Sequence, residues 1–143
     1  MSTAADWIAH HARVSPQRSA IHDLASNRRF TYERFDGRIT RLALYLHALG
    51  IEAGDRVAVL SHNDSDVFEI QFACQRLGAI FLPLNWRLAV PELEFICNDA
   101  TPKALIFGTE FADVAASLET LTGIAHGIAT DNGGDSAYEA GIA

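Results

Sequence analysis

The chain is poor in the residues that most directly announce a chemistry. Only two of its 143 residues are cysteine, Cys74 and Cys97, too few for a disulfide framework or a four-cysteine zinc site. Two isolated thiols suit a reducing compartment and read as small buried hydrophobes. Basic residues are scarce as well, with 11 Lys and Arg against 18 Asp and Glu and a formal charge of −7 with His neutral. That balance argues against nucleic acid as the main partner and against a polybasic membrane anchor, because both surfaces demand a basic surplus. No run of 18 apolar residues occurs, so no segment reads as a membrane span. The start, Met1-Ser2-Thr3-Ala4-Ala5-Asp6-Trp7, lacks the basic and apolar regions of a secretory signal. A cytoplasmic globular protein is the resulting expectation.

Phosphate loops are missing too. Neither G-x-G-x-x-G nor G-x-x-x-x-G-K-[ST] is present. Gly50-Ile51-Glu52-Ala53-Gly54-Asp55 carries two glycines, but it precedes a strand instead of opening a helix onto a phosphate. It reads as a helix C-cap and a tight turn. The six histidines, His10, His11, His22, His47, His62 and His126, include no i,i+4 pair and no H-E-x-x-H, so no metal ligands are expected. His10 and His11 are adjacent and would point about 100° apart on a helix. All six read as surface or rim residues.

What is present is an alternation of strand and helix signals, without internal repeats. A short helix is expected from Ala4 to about Val14, ended by Pro16. Ser19–Asp23 and Arg28–Thr31 read as a β-hairpin around Ala25-Ser26-Asn27. The clearest helix runs from about Tyr32 to Leu49, with Thr31 as N-cap. From Phe35 its apolar positions Ile39, Leu42, Ala43, Leu46 and Leu49 fall at increments of 4, 7, 8, 11 and 14, one face of a 3.6-residue period. Gly50 follows as the left-handed residue past its end. A strand at Arg56–Leu60, a helix at Ser65–Leu77 closed by Gly78, and a strand at Ala79–Leu84 make a βαβ unit of under 30 residues. Pro91 is expected at the first turn of a helix to about Asn98. Lys103–Phe107 is a further strand, Thr109 caps a helix to about Leu121, and Ala125–Thr130 is a last strand. The fold class is α/β, a layered and mostly parallel sheet with flanking helices. Residues 1–130 form the α/β unit. Residues 131–143 open with Asp-Asn-Gly-Gly-Asp-Ser, a linker-like tail.

Two segments follow parallel strands, where ligands of open α/β sheets bind. Ser61-His62-Asn63-Asp64 contains Ser, His and Asp, but a triad needs three side chains converging in a defined hydrogen-bonded chain. The segment reads as a capping loop. Pro83-Leu84-Asn85-Trp86-Arg87-Leu88 sets a Trp and an Arg directly after a buried strand. The Arg offers a planar fork for phosphate and the Trp a stacking face; loop packing is the other reading. The βαβ order alone also fits a flavodoxin-like signalling or cofactor domain, for which Asp64 and Asp66 would be the acidic cluster.

The order of several segments carries a family resemblance. They are Phe30-Thr31-Tyr32-Glu33, Gly50-Ile51-Glu52-Ala53-Gly54-Asp55-Arg56-Val57-Ala58, Asn63, Phe72-Ala73-Cys74 and Arg76-Leu77-Gly78-Ala79-Ile80. Then come Pro83-Leu84-Asn85-Trp86-Arg87-Leu88, Pro91-Glu92-Leu93 and Ile96-Cys97-Asn98-Asp99-Ala100. Together they resemble the first subdomain portion of adenylate-forming enzymes, the superfamily of acyl-CoA synthetases, luciferases and peptide-synthetase adenylation domains. The resemblance runs from about Trp7 to Ala140, and Pro-x-Asn-x-Arg-Leu favours the CoA-ligase branch. It implies a parent enzyme that joins a carboxylic acid to ATP with Mg²⁺, releases pyrophosphate, and passes the acyl group to CoA. The family's Ser/Thr/Gly-rich ATP loop ending in Pro-Lys-Gly and its catalytic Lys are not in this sequence. The expectation is therefore an N-terminal fragment, inactive alone, whose partner is the remainder of the parent enzyme. The resemblance implies one binding residue, Arg87, for the phosphates of CoA, and no catalytic residue; Asn85 is expected to fix the loop backbone. The alternative is a stand-alone, non-catalytic α/β binding or interaction module.

Overall fold

A computed structural model describes residues 5–143. Helix α1 spans Trp7–Val14, with Asp6 as N-cap accepting from Ala9 N at 2.9 Å. The expected helix start at Ala4 lies outside the described residues. Strands β1 (Ser19–Asp23) and β2 (Arg28–Thr31) form an antiparallel hairpin. Asp23 holds its turn, accepting from Ala25 N and Ser26 N. Helix α2 (Tyr32–Ala48) begins under Thr31, whose hydroxyl accepts from Arg34 N. Its periodic residues Phe35, Ile39, Leu42 and Leu46 are all buried, as one apolar stripe requires.

The remaining elements build the sheet. They are β3 (Arg56–Leu60), α3 (Ser65–Leu77), β4 (Ile80–Pro83), α4 (Val90–Ala100), β5 (Ala104–Gly108), α5 (Ala112–Thr122), β6 (His126–Thr130) and α6 (Ala137–Gly141). The four sheet strands are parallel in the order β4-β3-β5-β6. Alternation along the strands feeds two cores. Val57, Val59, Ala104, Ile106 and Ile128 face one core with α1, α2, α3 and α6. Ala58, Leu60 and Leu105 face the other with Leu93, Cys97, Ala115 and Leu118 of α4 and α5. Full burial of each large aliphatic side chain contributes about 1.5–3 kcal/mol. The chain winds one way from β3 to β4 and the other way from β5 to β6. With right-handed crossovers, that reversal puts α3 and α5 on opposite faces.

Local chemistry moves three expected boundaries. Pro91 is the second helical residue of α4, behind Val90, and Glu92 Oε2 accepts from Ala89 N at 2.8 Å. Thr109 does not cap α5. It opens a 3-10 turn, Thr109–Phe111, and the α-helix starts at Ala112.

The third concerns the tail. Residues 131–136 keep the irregular turn that their composition implies, but residues 137–142 pack. Tyr138 and Ile142 join the first core, and Arg41 Nε donates to Ile142 O at 2.7 Å. The linker-like reading fails there because an ionic cluster receives the segment. Glu69 is fully buried on α3. Its carboxylate accepts from Arg38 Nε and Nη2 and from Tyr138 Oη, the last at 2.6 Å. Glu139 binds Arg38 at 2.7 Å and Arg28 at 3.2 Å, and Arg28 binds Asp66 at 2.9 Å. A buried carboxylate without such partners would cost several kcal/mol, roughly the penalty of an unpaired ion. The two arginines and Tyr138 offset that cost and fix α6 across α2, α3 and the hairpin.

Candidate functional site

The reversal of winding falls between β3 and β5. In such sheets the crevice outside the carboxyl ends of these strands is the ligand position. Three loops converge there.

The loop after β3 holds Ser61–Asp64. Asp64 caps α3, accepting from Val67 N at 3.0 Å, and burial pushes its carboxyl above the ordinary range. Ser61 Oγ donates to His62 O at 2.8 Å and lies 3.3 Å from Asp64 Oδ2. The His62 ring nitrogen pairs with Glu110 and not with Ser61 or Asp64, so the three make no triad. Asp64 and Asp66 form no open acidic cluster either. One is a helix cap and the other is buried against Arg28, which removes the basis for the signalling-domain reading.

The loop after β4 is fixed at two points. Leu84 N donates to Val59 O at 2.8 Å, seating Leu84 in the second core. Asn85 Oδ1 accepts from Arg87 N at 3.1 Å, a side-chain turn of the kind asparagine favours. Asn85 thus shapes the backbone, and Trp86 and Arg87 are carried outward. The Arg87 guanidinium lies over the Trp86 ring, 4.5 Å from its centroid. Such cation–π stacking is worth about 0.5–1 kcal/mol at an exposed site. Among the described residues, the Arg87 side chain has no carboxylate partner, whereas Arg28, Arg38 and Arg76 are all ion-paired.

The loop after β5 supplies Glu110 and Phe111. The His62 ring meets Trp86 edge-on at 4.5 Å and 74°, and Phe111 at 5.1 Å. Trp86 and Phe111 are 6.1 Å apart. His62 Nδ1 is 3.0 Å from Glu110 Oε1. The Glu110 carboxylate folds back over Gly108, where a Cβ would come within 2.5 Å of it. A larger residue at position 108 would force the Glu110 carboxylate to shift. Sequence reasoning singled out the loop of His62 and the pair Trp86–Arg87, and the structure brings them together. It missed Glu110 and Phe111. Their signal was position: they follow β5 as His62 follows β3 and Trp86 follows β4.

Among the described residues no three His, Cys, Asp or Glu side chains gather as a metal site, and no helix is long and apolar enough to cross a membrane. The loops at this edge present the rings of His62, Trp86 and Phe111, with the Arg87 guanidinium beside them and without a side-chain acceptor among the described residues, a chemistry suited to an anionic ligand with a planar part.

A four-stranded parallel sheet wound in both directions, with helices on its two faces, defines an α/β layered fold. The chain belongs to the family described as "AMP-binding enzyme", whose model matches residues 8–140. It is 40% identical over 112 residues to a feruloyl-CoA synthase of Amycolatopsis sp, covering 78% of this chain and 22% of that protein. It is 33% identical over 134 residues to the fatty acid–[acyl-carrier-protein] ligase ScoC of Streptomyces coeruleorubidus, covering 90% of this chain and 25% of that one. The inhibitor-bound N-terminal domain of FACL13 from Mycobacterium tuberculosis superposes with a TM-score of 0.85 at 31% identity, over 94% of this chain and 34% of that domain. The chain thus spans about a quarter of the length of the curated relatives it matches.

Proposed function

We propose that this chain is the amino-terminal portion of an AMP-forming acid–CoA ligase. In the reaction assigned to the whole enzyme, a carboxylate attacks the α-phosphate of ATP and pyrophosphate leaves. The thiol of CoA then attacks the acyl-adenylate carbonyl and AMP leaves. ATP and Mg²⁺ would be held by residues beyond these 143, because no glycine-rich phosphate loop or carboxylate cluster here fits them. The role of this chain is scaffold and one wall of the CoA path. Arg87, stacked on Trp86 and without a side-chain acceptor among the described residues, is assigned to the phosphates of CoA. The match over residues 8–140 is the observation that carries the reading. Among the described residues β4 is an edge strand and Ile80 on it is exposed, which supports it, since covering chain is one way proteins protect a sheet edge. The two buried free thiols support a cytoplasmic setting.

Titrating CoA into the purified chain tests the site. Arg87→Ala weakens binding about five- to thirtyfold, the equivalent of 1–2 kcal/mol for one charge-assisted contact at an exposed position. Equal binding by both proteins overturns the assignment. ATP–pyrophosphate exchange by the 143-residue chain alone is expected to be undetectable, and a measurable rate would overturn the division of labour. A second reading, a stand-alone non-catalytic binding module, draws on α6, which closes the first core from within the chain. Under it the chain is a monodisperse monomer in light scattering, and CoA titration gives no Arg87-dependent signal.

A further inference from the structure

We propose that His62 is a positioning residue for the Trp86–Arg87 arm, holding it through three loops at once. This rests on the reading of Arg87 as a CoA-phosphate contact and adds the device that aims it. The His62 ring is the hub of the carboxyl edge. One edge meets Trp86 at 4.5 Å, another side meets Phe111 at 5.1 Å, and Nδ1 reaches Glu110 at 3.0 Å. His62 itself lies on the loop after β3, whose far end is anchored by the Asp64 cap of α3.

Arg87 has no protein acceptor among the described residues to fix its side chain. It borrows its orientation from the Trp86 face, 4.5 Å away. Trp86 is in turn partly exposed and makes no side-chain hydrogen bond among the described residues, so its aim depends on the rings beside it. Glu110 completes the support by fixing the plane of the imidazole. The chain of support therefore runs Glu110, His62, Trp86, Arg87, and only the last member meets the ligand. An edge-on aromatic pair carries about a two- to tenfold effect on an equilibrium, enough to set how often the arm points correctly.

The test uses the full chain in a Trp7→Phe background, so that Trp86 is the only indole. His62→Ala is expected to raise acrylamide quenching of Trp86 and to weaken CoA binding about three- to tenfold. His62→Phe keeps the ring but loses the Glu110 bond, and Glu110→Gln weakens that bond, so both are expected to lie between His62→Ala and the parent in both readouts. Arg87→Ala is expected to weaken CoA binding and, because it uncovers one face of the indole, to raise Trp86 quenching as well. Far-UV circular dichroism identifies any variant that fails to fold, and the comparison then rests on His62→Phe and Glu110→Gln. If His62→Ala leaves quenching and CoA affinity unchanged while Arg87→Ala lowers affinity, the positioning role is overturned and the Arg87 assignment stands. If CoA does not bind to the chain alone, Trp86 quenching decides the positioning role: a rise in His62→Ala that His62→Phe reduces supports it, and no change overturns it.

Discussion

Tyr138→Ala tests the packing of the tail. Tyr138 is fully buried in the first core, and its hydroxyl donates to Glu69 at 2.6 Å. Truncating a buried aromatic side chain to Ala costs about 3–5 kcal/mol. Losing the hydrogen bond to a buried carboxylate costs about 1 kcal/mol more. Neighbouring side chains collapse partly into the space left behind, which offsets part of that cost. We therefore expect about 3 kcal/mol, a large share of the 5–15 kcal/mol that holds a typical domain. At this chain length it lowers Tm by roughly 10 °C. Urea unfolding followed by circular dichroism measures it. Tyr138→Phe separates the ring from the hydroxyl and should cost about 1 kcal/mol, because Glu69 keeps Arg38. A Tyr138→Ala loss below about 0.5 kcal/mol, the range of ordinary surface substitutions, would refute the packing and return residues 137–142 to a linker.

Three further outcomes follow from the same structure. Burial pushes the Asp66 carboxyl from 3.8 up to about 7, with Arg28 opposing and Glu69 and Asp64 adding to it. The folded state therefore holds this proton to higher pH than the unfolded chain does, and its contribution to stability is lost as pH rises from about 4 to 7. Asp66→Asn should flatten the fall of the urea midpoint between pH 5 and 7.5, by at most about 1 kcal/mol per pH unit; an unchanged slope contradicts the assignment. Gly78 ends α3 at φ +73, and a Cβ there would lie 3.2 Å from Ala53 Cβ. Gly78→Ala should cost about 1–2 kcal/mol in the same assay, and a neutral result would show that the turn relaxes freely. Burial pushes the Cys74 thiol up to about 12 and raises Cys97 as well. Neither should react with a disulfide reagent at pH 8 until urea is added, and rapid labelling of the native chain would contradict their burial.

The elements that were legible share one property: their pattern is local. The stripe from Phe35 to Leu46 declares α2 by spacing alone, and Thr31 supplies its start. The hairpin and the strands β3 and β5 are short apolar or turn-bounded runs whose type does not depend on a partner. The tail was not legible because its burial is decided by Arg38 and Glu69, far away in the chain. A five-residue helix carries too little periodicity to reveal Tyr138 and Ile142. Thr109 is a capping residue by type, but the chain leaves β5 through a 3-10 turn that brings Glu110 and Phe111 beside His62. At the site, sequence placed each loop after its strand, which is why His62, Trp86 and Arg87 stood out. Only the sheet order β4-β3-β5 makes those loops neighbours, and with them Glu110.

The central claim is that these 143 residues are one portion of an acid–CoA ligase. Sequencing the source locus beyond the codon for Ala143 tests it most directly. The account predicts an open frame that carries a Ser/Thr/Gly-rich loop followed by Pro-Lys-Gly. A stop codon immediately after Ala143 would contradict it and turn attention to what the folded chain binds by itself.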